Sequence, residues 1–336
     1  MKTEVTRRAG WSARLWAVAA MSAATLAIAP ACAQTAAQSW PSKPIRIISP
    51  IGAGSAADIL ARLFSEQLSA QIGQPVVVEN RPGAGGTLGV NAVAKSEPDG
   101  YSVLIHSNGY TIAPAVYPNL PYDPVKDLIP VTTLGYIPNV LVVAPSKNIR
   151  TLQDLVAAAR AKPDSMNYAS GGVGTPTHLA AERLRIGAAF QAQHVPFKGQ
   201  PEAMTEVMTG RVEFYFCPVF PALPLIQEGK LIPLAVSGAK RVSSLPHVPT
   251  TQEAGFANSD YSFWIGMFVP AHTPPDIVKK LHDETVKAMQ TPALQEKLAK
   301  LSVVPMTMTS EQFSAYVKEQ ITSDAILAKA AGIAAQ

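Results

Sequence analysis

The sequence predicts an α/β chain of two doubly wound lobes around a cleft, and three observations predict it. Short apolar runs alternate with segments of helical period through residues 45–106. The alternation restarts at residue 139 after a proline-rich passage. Each block carries a Gly-rich turn from strand to helix, at 52–58 and at 171–175. Such alternation argues for βαβ units and mostly parallel sheets.

In the first block the pattern reads strand 45–49, helix 56–72, strand 76–79, helix 86–96 and strand 102–106. Residues 114–130 then carry Pro114, Pro118, Pro121, Pro124 and Pro130, a density at which no helix is expected. The second block reads strands 139–144, 166–170, 193–195, 212–216 and 231–236, with helices 152–161, 177–186, 201–209 and 222–228 between them. A further apolar run covers 263–269, and 275–331 is helical by period, punctuated at Thr291-Pro292. Helices left over at the end suggest an inserted second lobe: 34–138 and 262–336 form one lobe and 139–261 the other, with crossings near 137–140 and 261–265. Ligands in open α/β sheets bind off the carboxyl ends of the strands, so the two Gly-rich turns are expected to face each other across the cleft.

The N-terminus sets the compartment. Lys2, Arg7, Arg8 and Arg14 precede an apolar stretch over 15–29 and the small-residue site Ala31-Cys32-Ala33. This is the pattern of a cleaved secretory signal over 1–33, which implies a periplasmic protein. Its apolar core is shorter than the roughly 20 residues a bilayer span needs. Cys32 lacks the preceding Leu of a lipidation site, and Gly10 stands where a twin-arginine signal has an apolar residue. Cleavage leaves Cys217 alone, so no intrachain disulfide supports the mature fold. A net charge of +4 without any basic run interleaved with aromatics gives no sign of nucleic-acid binding. A hydrophobic fraction of 47% against 15% charged describes a globular chain.

The first turn, Pro50-Ile51-Gly52-Ala53-Gly54-Ser55-Ala56-Ala57-Asp58, joins strand to helix and presents free backbone N–H groups at the positive end of a helix dipole. Gly52-x-Gly54-x-x-Ala57, with Glu79 after the next strand, also satisfies a loose dinucleotide fingerprint. The export signal and the lack of a His–acid or Tyr–Lys pair nearby oppose a dehydrogenase. Ser55-x-x-Asp58 has capping-box spacing, so Asp58 is as well explained as a cap as a ligand contact. In the second turn, Ser170-Gly171-Gly172-Val173-Gly174-Thr175-Pro176, Thr175 is the expected helix cap and the glycines allow close backbone approach. Ser170 has no base and acid to activate it. His178 and Glu182 share a helical face but lack a third metal ligand. Asn108 and Lys198 follow strands at ends expected to line the cleft, and Lys198 suits an anion. Tyr110, Phe197, Cys217 and Trp264 are candidate pocket walls or plain core.

The chain resembles the Bug-type extracytoplasmic solute receptors of tripartite tricarboxylate transporters. The blocks that carry the likeness run from Trp40-Pro41-Ser42-Lys43-Pro44-Ile45 through Glu79-Asn80-Arg81-Pro82-Gly83-Ala84-Gly85-Gly86, Pro98-Asp99-Gly100-Tyr101 and Leu120-Pro121-Tyr122-Asp123-Pro124. They continue with His178-Leu179-Ala180-Ala181-Glu182, His194-Val195-Pro196-Phe197-Lys198-Gly199 and Leu245-Pro246-His247-Val248-Pro249-Thr250. The resemblance implies a periplasmic binding protein of type II, a "Venus flytrap" that delivers a small organic carboxylate to membrane permease subunits, with no catalysis and no cofactor. It places carboxylate contacts on Gly54, Ser55 and Ala56 and on Ser170, Gly171, Gly172 and Thr175; Asp58, Asn108, His178, Lys198 and Cys217 complete the expected set. A monomer is expected, with no nucleic-acid partner.

Two departures from the family pattern bear on the ligand. Ile51 replaces an aromatic and Ser55 a glycine in the first turn, and Cys217 stands where many relatives carry Asp. The latter argues for a mono- or dicarboxylate over an amino acid. A carboxylate sensor for a signalling partner is the rival role, and a dinucleotide enzyme the rival class.

Overall fold

The computed structural model describes residues 40–163, 165–261 and 263–333. The signal segment and cleavage site expected over residues 1–33 lie outside the described residues.

Strand β1 (Ile45–Ser49) buries Ile45, Ile47 and Ile48 and turns Arg46 outward. Ser55 caps helix α1 (Ala56–Ile72), its hydroxyl accepting from Asp58 N at 3.3 Å, and Gly73 closes it in the left-handed conformation. Next come β2 (Val76–Asn80), α2 (Thr87–Ala94), β3 (Ser102–Ser107), α3 (Gly109–Val116) and β4 (Leu128–Ile137). The chain passes through Pro138 into β5 (Asn139–Val143), α4 (Leu152–Ala161), β6 (Asn167–Ser170), α5 (Pro176–Gly187), β7 (Gln193–Pro196) and α6 (Gln200–Met208). Strand β8 (Phe214–Pro218), α7 (Val219–Gln227) and β9 (Ile232–Val236) follow. Strand β10 (Phe263–Pro270) and helices α8 (Pro275–Met289), α9 (Pro292–Lys300) and α10 (Ser310–Ala330) end the chain.

Two five-stranded sheets result, ordered β2-β1-β3-β10-β4 and β7-β6-β8-β5-β9. They share one plan. Three strands pair in parallel, and the fourth position holds the first strand after a crossing, which runs antiparallel to both neighbours. The expectation of mostly parallel sheets missed the direction of this strand, because a fully buried run reads the same in either direction. Helix α3 and strand β4 are also additions. Pro114 is tolerated inside α3, so this helix reaches into the stretch expected to hold none.

Residue alternation divides the second sheet's faces. Leu141, Val143, Phe214 and Phe216 pack on one side; Val140, Val142, Tyr215 and Cys217 pack on the other. In the first sheet, Ile48, Leu104, Trp264 and Phe268 meet Val90 of α2 and Phe313 of α10.

Candidate functional site

The carboxyl ends of β1, β2 and β3 from one sheet, and of β6 and β7 from the other, surround a cavity of about 620 Å3. It is lined by Pro50 to Ala53 and Ser55 of the first turn, by Gly83, Gly85 and Gly86, by Ser107, by Gly171 to Val173 and Thr175 to Thr177, and by Lys198 to Pro201. Each segment leads into a helix, so the N-termini of α1, α2, α3, α5 and α6 converge on one space. The opening N–H groups of a helix have no acceptor within it and carry its positive partial charge, which favours an anion. Lys198, exposed, is the one charged side chain among the described lining residues.

The first turn is held by Asp58, buried to 2% exposure. Its Oδ2 accepts from Gly54 N at 3.0 Å and Arg62 Nε at 3.1 Å, and its Oδ1 from Asn80 Nδ2 at 2.8 Å. Burial works to raise its pKa, but the hydrogen bonds from Arg62, Gly54 and Asn80 outweigh it and hold the carboxyl below its ordinary range. The acid thus reaches one residue beyond the Ser55 cap. The Gly54 amide is spent on Asp58, and Gly54, Ala56 and Asp58 stand behind the wall that Ser55 and Ala57 present.

In the second turn, Gly171, Gly172 and Thr175 line the cavity, while Ser170 lies fully buried beneath it. Ser170 Oγ receives Gly172 N at 3.0 Å and contacts His194 Nε2 at 2.6 Å. Thr175 occupies the cap position, but its hydroxyl donates to Gly172 O at 2.7 Å instead of bonding the helix. Thr177 Oγ1 accepts from Gly171 N at 3.0 Å.

His178 sits behind this turn. Its Nδ1 accepts from Gly174 N at 3.2 Å, and its ring stacks on His194 with centroids 3.7 Å apart. Burial lowers the pKa of His178 to about 4 and of His194 to about 3, so both rings are neutral. Glu182 is committed to Arg185 at 2.6 Å and to the Tyr168 hydroxyl.

Asn108 is buried one residue past the lining Ser107 and donates Nδ2 to Tyr261 Oη at 3.0 Å. Cys217 is fully buried in the core, its thiol 3.6 Å from Val140 O, and burial pushes its pKa up. It does not line the cavity, so its lack of charge says nothing about an amino-acid ligand. Glu79 pairs with Arg81 at 2.5 Å. Tyr110, Phe197 and Trp264 belong to packing clusters and are not among the cavity's lining residues.

Lining residues that sequence reasoning missed include Gly85, Gly86, Tyr117, Thr177, Gln200 and Phe263. A signal existed for two of them. Arg81-Pro82-Gly83-Ala84-Gly85-Gly86 is another Gly-rich strand-to-helix connection, and a Cβ on Gly85, at φ +63°, would stand 2.6 Å from the Tyr117 hydroxyl.

A cavity walled by turns from two sheets, with ends of helices aimed into it, defines a solute receptor. Residues 60–333 match the model of the tripartite tricarboxylate transporter family receptor, and the chain belongs to that family. It is 34% identical over 312 residues to BugT of Bordetella pertussis, covering 92% of this chain and 94% of that one. Among solved structures, it resembles R. palustris Rpa4515 with adipate at TM-score 0.84 and 30% identity, over 88% of this chain and all of that one. It also resembles MatC from Rhodopseudomonas palustris with bound malate at TM-score 0.79 and 27% identity, over 86% and 99%. The family and these neighbours are solute-binding receptors, not enzymes.

Proposed function

We propose that this chain is an exported periplasmic receptor that closes two lobes around a small organic carboxylate and hands it to the permease subunits of a tripartite transporter. The lobes are residues 34–138 with 262–336, and 139–261. The observation that carries the reading is the convergence of five helix N-termini and Lys198 on one cavity whose described lining holds no acidic side chain. A carboxylate suits this field, and an ammonium finds no partner there. The adipate and malate neighbours support the ligand class. Membership of a transporter-receptor family supports the permease. The small-residue site at Ala31-x-Ala33 supports export.

The test is a thermal-shift screen of the protein against mono- and dicarboxylates, amino acids and nicotinamide dinucleotides, because a ligand of the native state raises its melting temperature. Stabilisation by carboxylates alone supports the reading. Stabilisation by dinucleotides alone overturns it.

A further inference from the structure

Side chains tie down the Gly-rich turn after β6 almost amide by amide. Gly171 N donates to Thr177 Oγ1 at 3.0 Å, Gly172 N to Ser170 Oγ at 3.0 Å and Gly174 N to His178 Nδ1 at 3.2 Å. The Val173 N–H is left as the one amide of residues 171–174 with no acceptor among the described residues, and Val173 lines the cleft. Backbone amides of a turn make an anion-binding concavity only in the conformation that aims them together.

Both ties that flank Val173 end on a histidine. His178 holds Gly174 directly, while His194 Nε2 lies 2.6 Å from Ser170 Oγ, the atom that holds Gly172. The two imidazoles stack 9° from parallel, and the Tyr168 ring stacks 5.0 Å from His194. Tyr168 in turn donates its hydroxyl to Glu182, which Arg185 grips at 2.6 and 2.9 Å. This stack fixes the ring planes from α5, β6 and β7 at once.

A ring nitrogen that accepts a hydrogen bond carries no proton, so His178 holds its proton on Nε2. A second proton, on Nδ1, would confront the Gly174 N–H and set a charge against the His194 ring. Burial and the Arg185 cation both oppose it, and they hold the pKa of His178 at about 4. Among the described residues, the charged or titratable groups facing the pair are Tyr168, Glu182 and Arg185, which are bonded to one another.

We propose that His178 is a positioning residue for the ligand: its bare Nδ1, braced by His194, sets the turn in the shape that offers the Val173 amide to a carboxylate. The proposal rests on the carboxylate reading of the cleft, and neither imidazole need touch the ligand.

Wild type, His178→Phe and His178→Asn separate this role from simple packing. Phe keeps a ring in the stack and loses the acceptor; Asn loses the ring and puts its Oδ1 where Nδ1 stood. Calorimetry with adipate, malate and benzoate supplies the probe, taken as whichever wild type binds most tightly. Its affinity should fall about tenfold or more in His178→Phe and stay within about threefold of wild type in His178→Asn. Nitrogen-15 spectra of the unliganded wild type should show His178 Nδ1 unprotonated at neutral pH, and the Gly174 amide signal should move in His178→Phe. A proton on Nδ1, full affinity in His178→Phe, or an equal loss in both variants overturns the proposal and leaves the carboxylate reading standing. A wild type that binds none of the three acids but does bind a nicotinamide dinucleotide overturns the carboxylate reading, and this proposal with it.

Discussion

Tyr261 and Asp324, 63 residues apart, meet in the interior, the tyrosine hydroxyl donating to Asp324 Oδ1 at 3.2 Å. The same hydroxyl accepts from Asn108 Nδ2, and Asp324 Oδ2 lies 2.6 Å from Thr111 Oγ1. Thr111 has one proton and two neighbouring acceptors, Asp324 Oδ2 and Asn108 O at 2.9 Å. The Thr111 hydroxyl donates to Asp324 Oδ2, with the Asn108 carbonyl as a second acceptor within reach.

Asp324 therefore gives the first prediction. Burial raises its pKa from the ordinary 3.8 to about 6, against the lowering effects of Thr111, Tyr261 and Arg183. A folded-state value above the unfolded one contributes stability that is complete below pH 3.8 and is lost as pH rises through about 6. The difference corresponds to about 3 kcal/mol at most. Asp324→Asn, which mimics the protonated form, should melt like wild type at pH 4 and higher than wild type at pH 8. Equal melting temperatures at pH 8 would remove Asp324 as a source of pH sensitivity.

Asp58 behaves in the opposite sense. Its pKa is held below the ordinary value, so its contribution is present above pH 3.8 and disappears as acid protonates it. Asp58→Ala strips the bonds to Gly54, Arg62 and Asn80 and should destabilise the fold by about 1–3 kcal/mol at pH 7. The difference from wild type should shrink below pH 4, measured by denaturant unfolding.

Gly171→Asp tests the cleft. A Cβ at this position meets nothing closer than 3.6 Å, and the backbone there is not left-handed, so the variant should fold. It places a carboxylate in the space proposed for the ligand's own. Affinity for the carboxylate found by screening should fall at least about tenfold, about 1.4 kcal/mol, by calorimetry. Undiminished affinity would move the anion site elsewhere.

Lys198→Met should weaken carboxylate binding by a few-fold and flatten its dependence on salt, since an exposed cation acts through a screened field. Titrations at low and high ionic strength decide this. An unaltered salt slope would leave the helix N-termini as the source of attraction.

Cys217 should resist thiol reagents in the folded protein and react on unfolding, because burial raises its pKa and closes access. Carboxylate affinity should be unchanged in Cys217→Ala. A change there would bring the residue back into the site.

The α/β class and the turns that face the cleft were legible because glycines, caps and apolar runs are local signals. Ser55 caps α1, and Gly171, Gly172 and Lys198 line the cavity. What stayed hidden depends on partners distant in sequence. Nothing near Tyr117 or Phe263 announces the cavity they line; Asp58, by contrast, was expected as a cap, and it differs only in taking the amide of Gly54 in place of that of Ser55. Cys217 was misleading because strand alternation fixes only two faces, and which one meets the core is decided by helices packed later. The runs at 139–144 and 263–269 were legible, but not the antiparallel direction of β5 and β10, because buried runs carry no mark of direction.

The place of β10 in its sheet has a consequence for how the protein is made. Strands β3 and β4 are synthesised before any part of the second sheet, yet the strand that lies between them arrives more than 120 residues after β4 ends. The second sheet needs nothing beyond β9, so it can complete itself while its elder neighbour waits with two unjoined edges. Non-local pairing of this kind slows folding and prolongs exposure of unpaired strands. The sheet whose strands leave the ribosome first is thus the last to be finished.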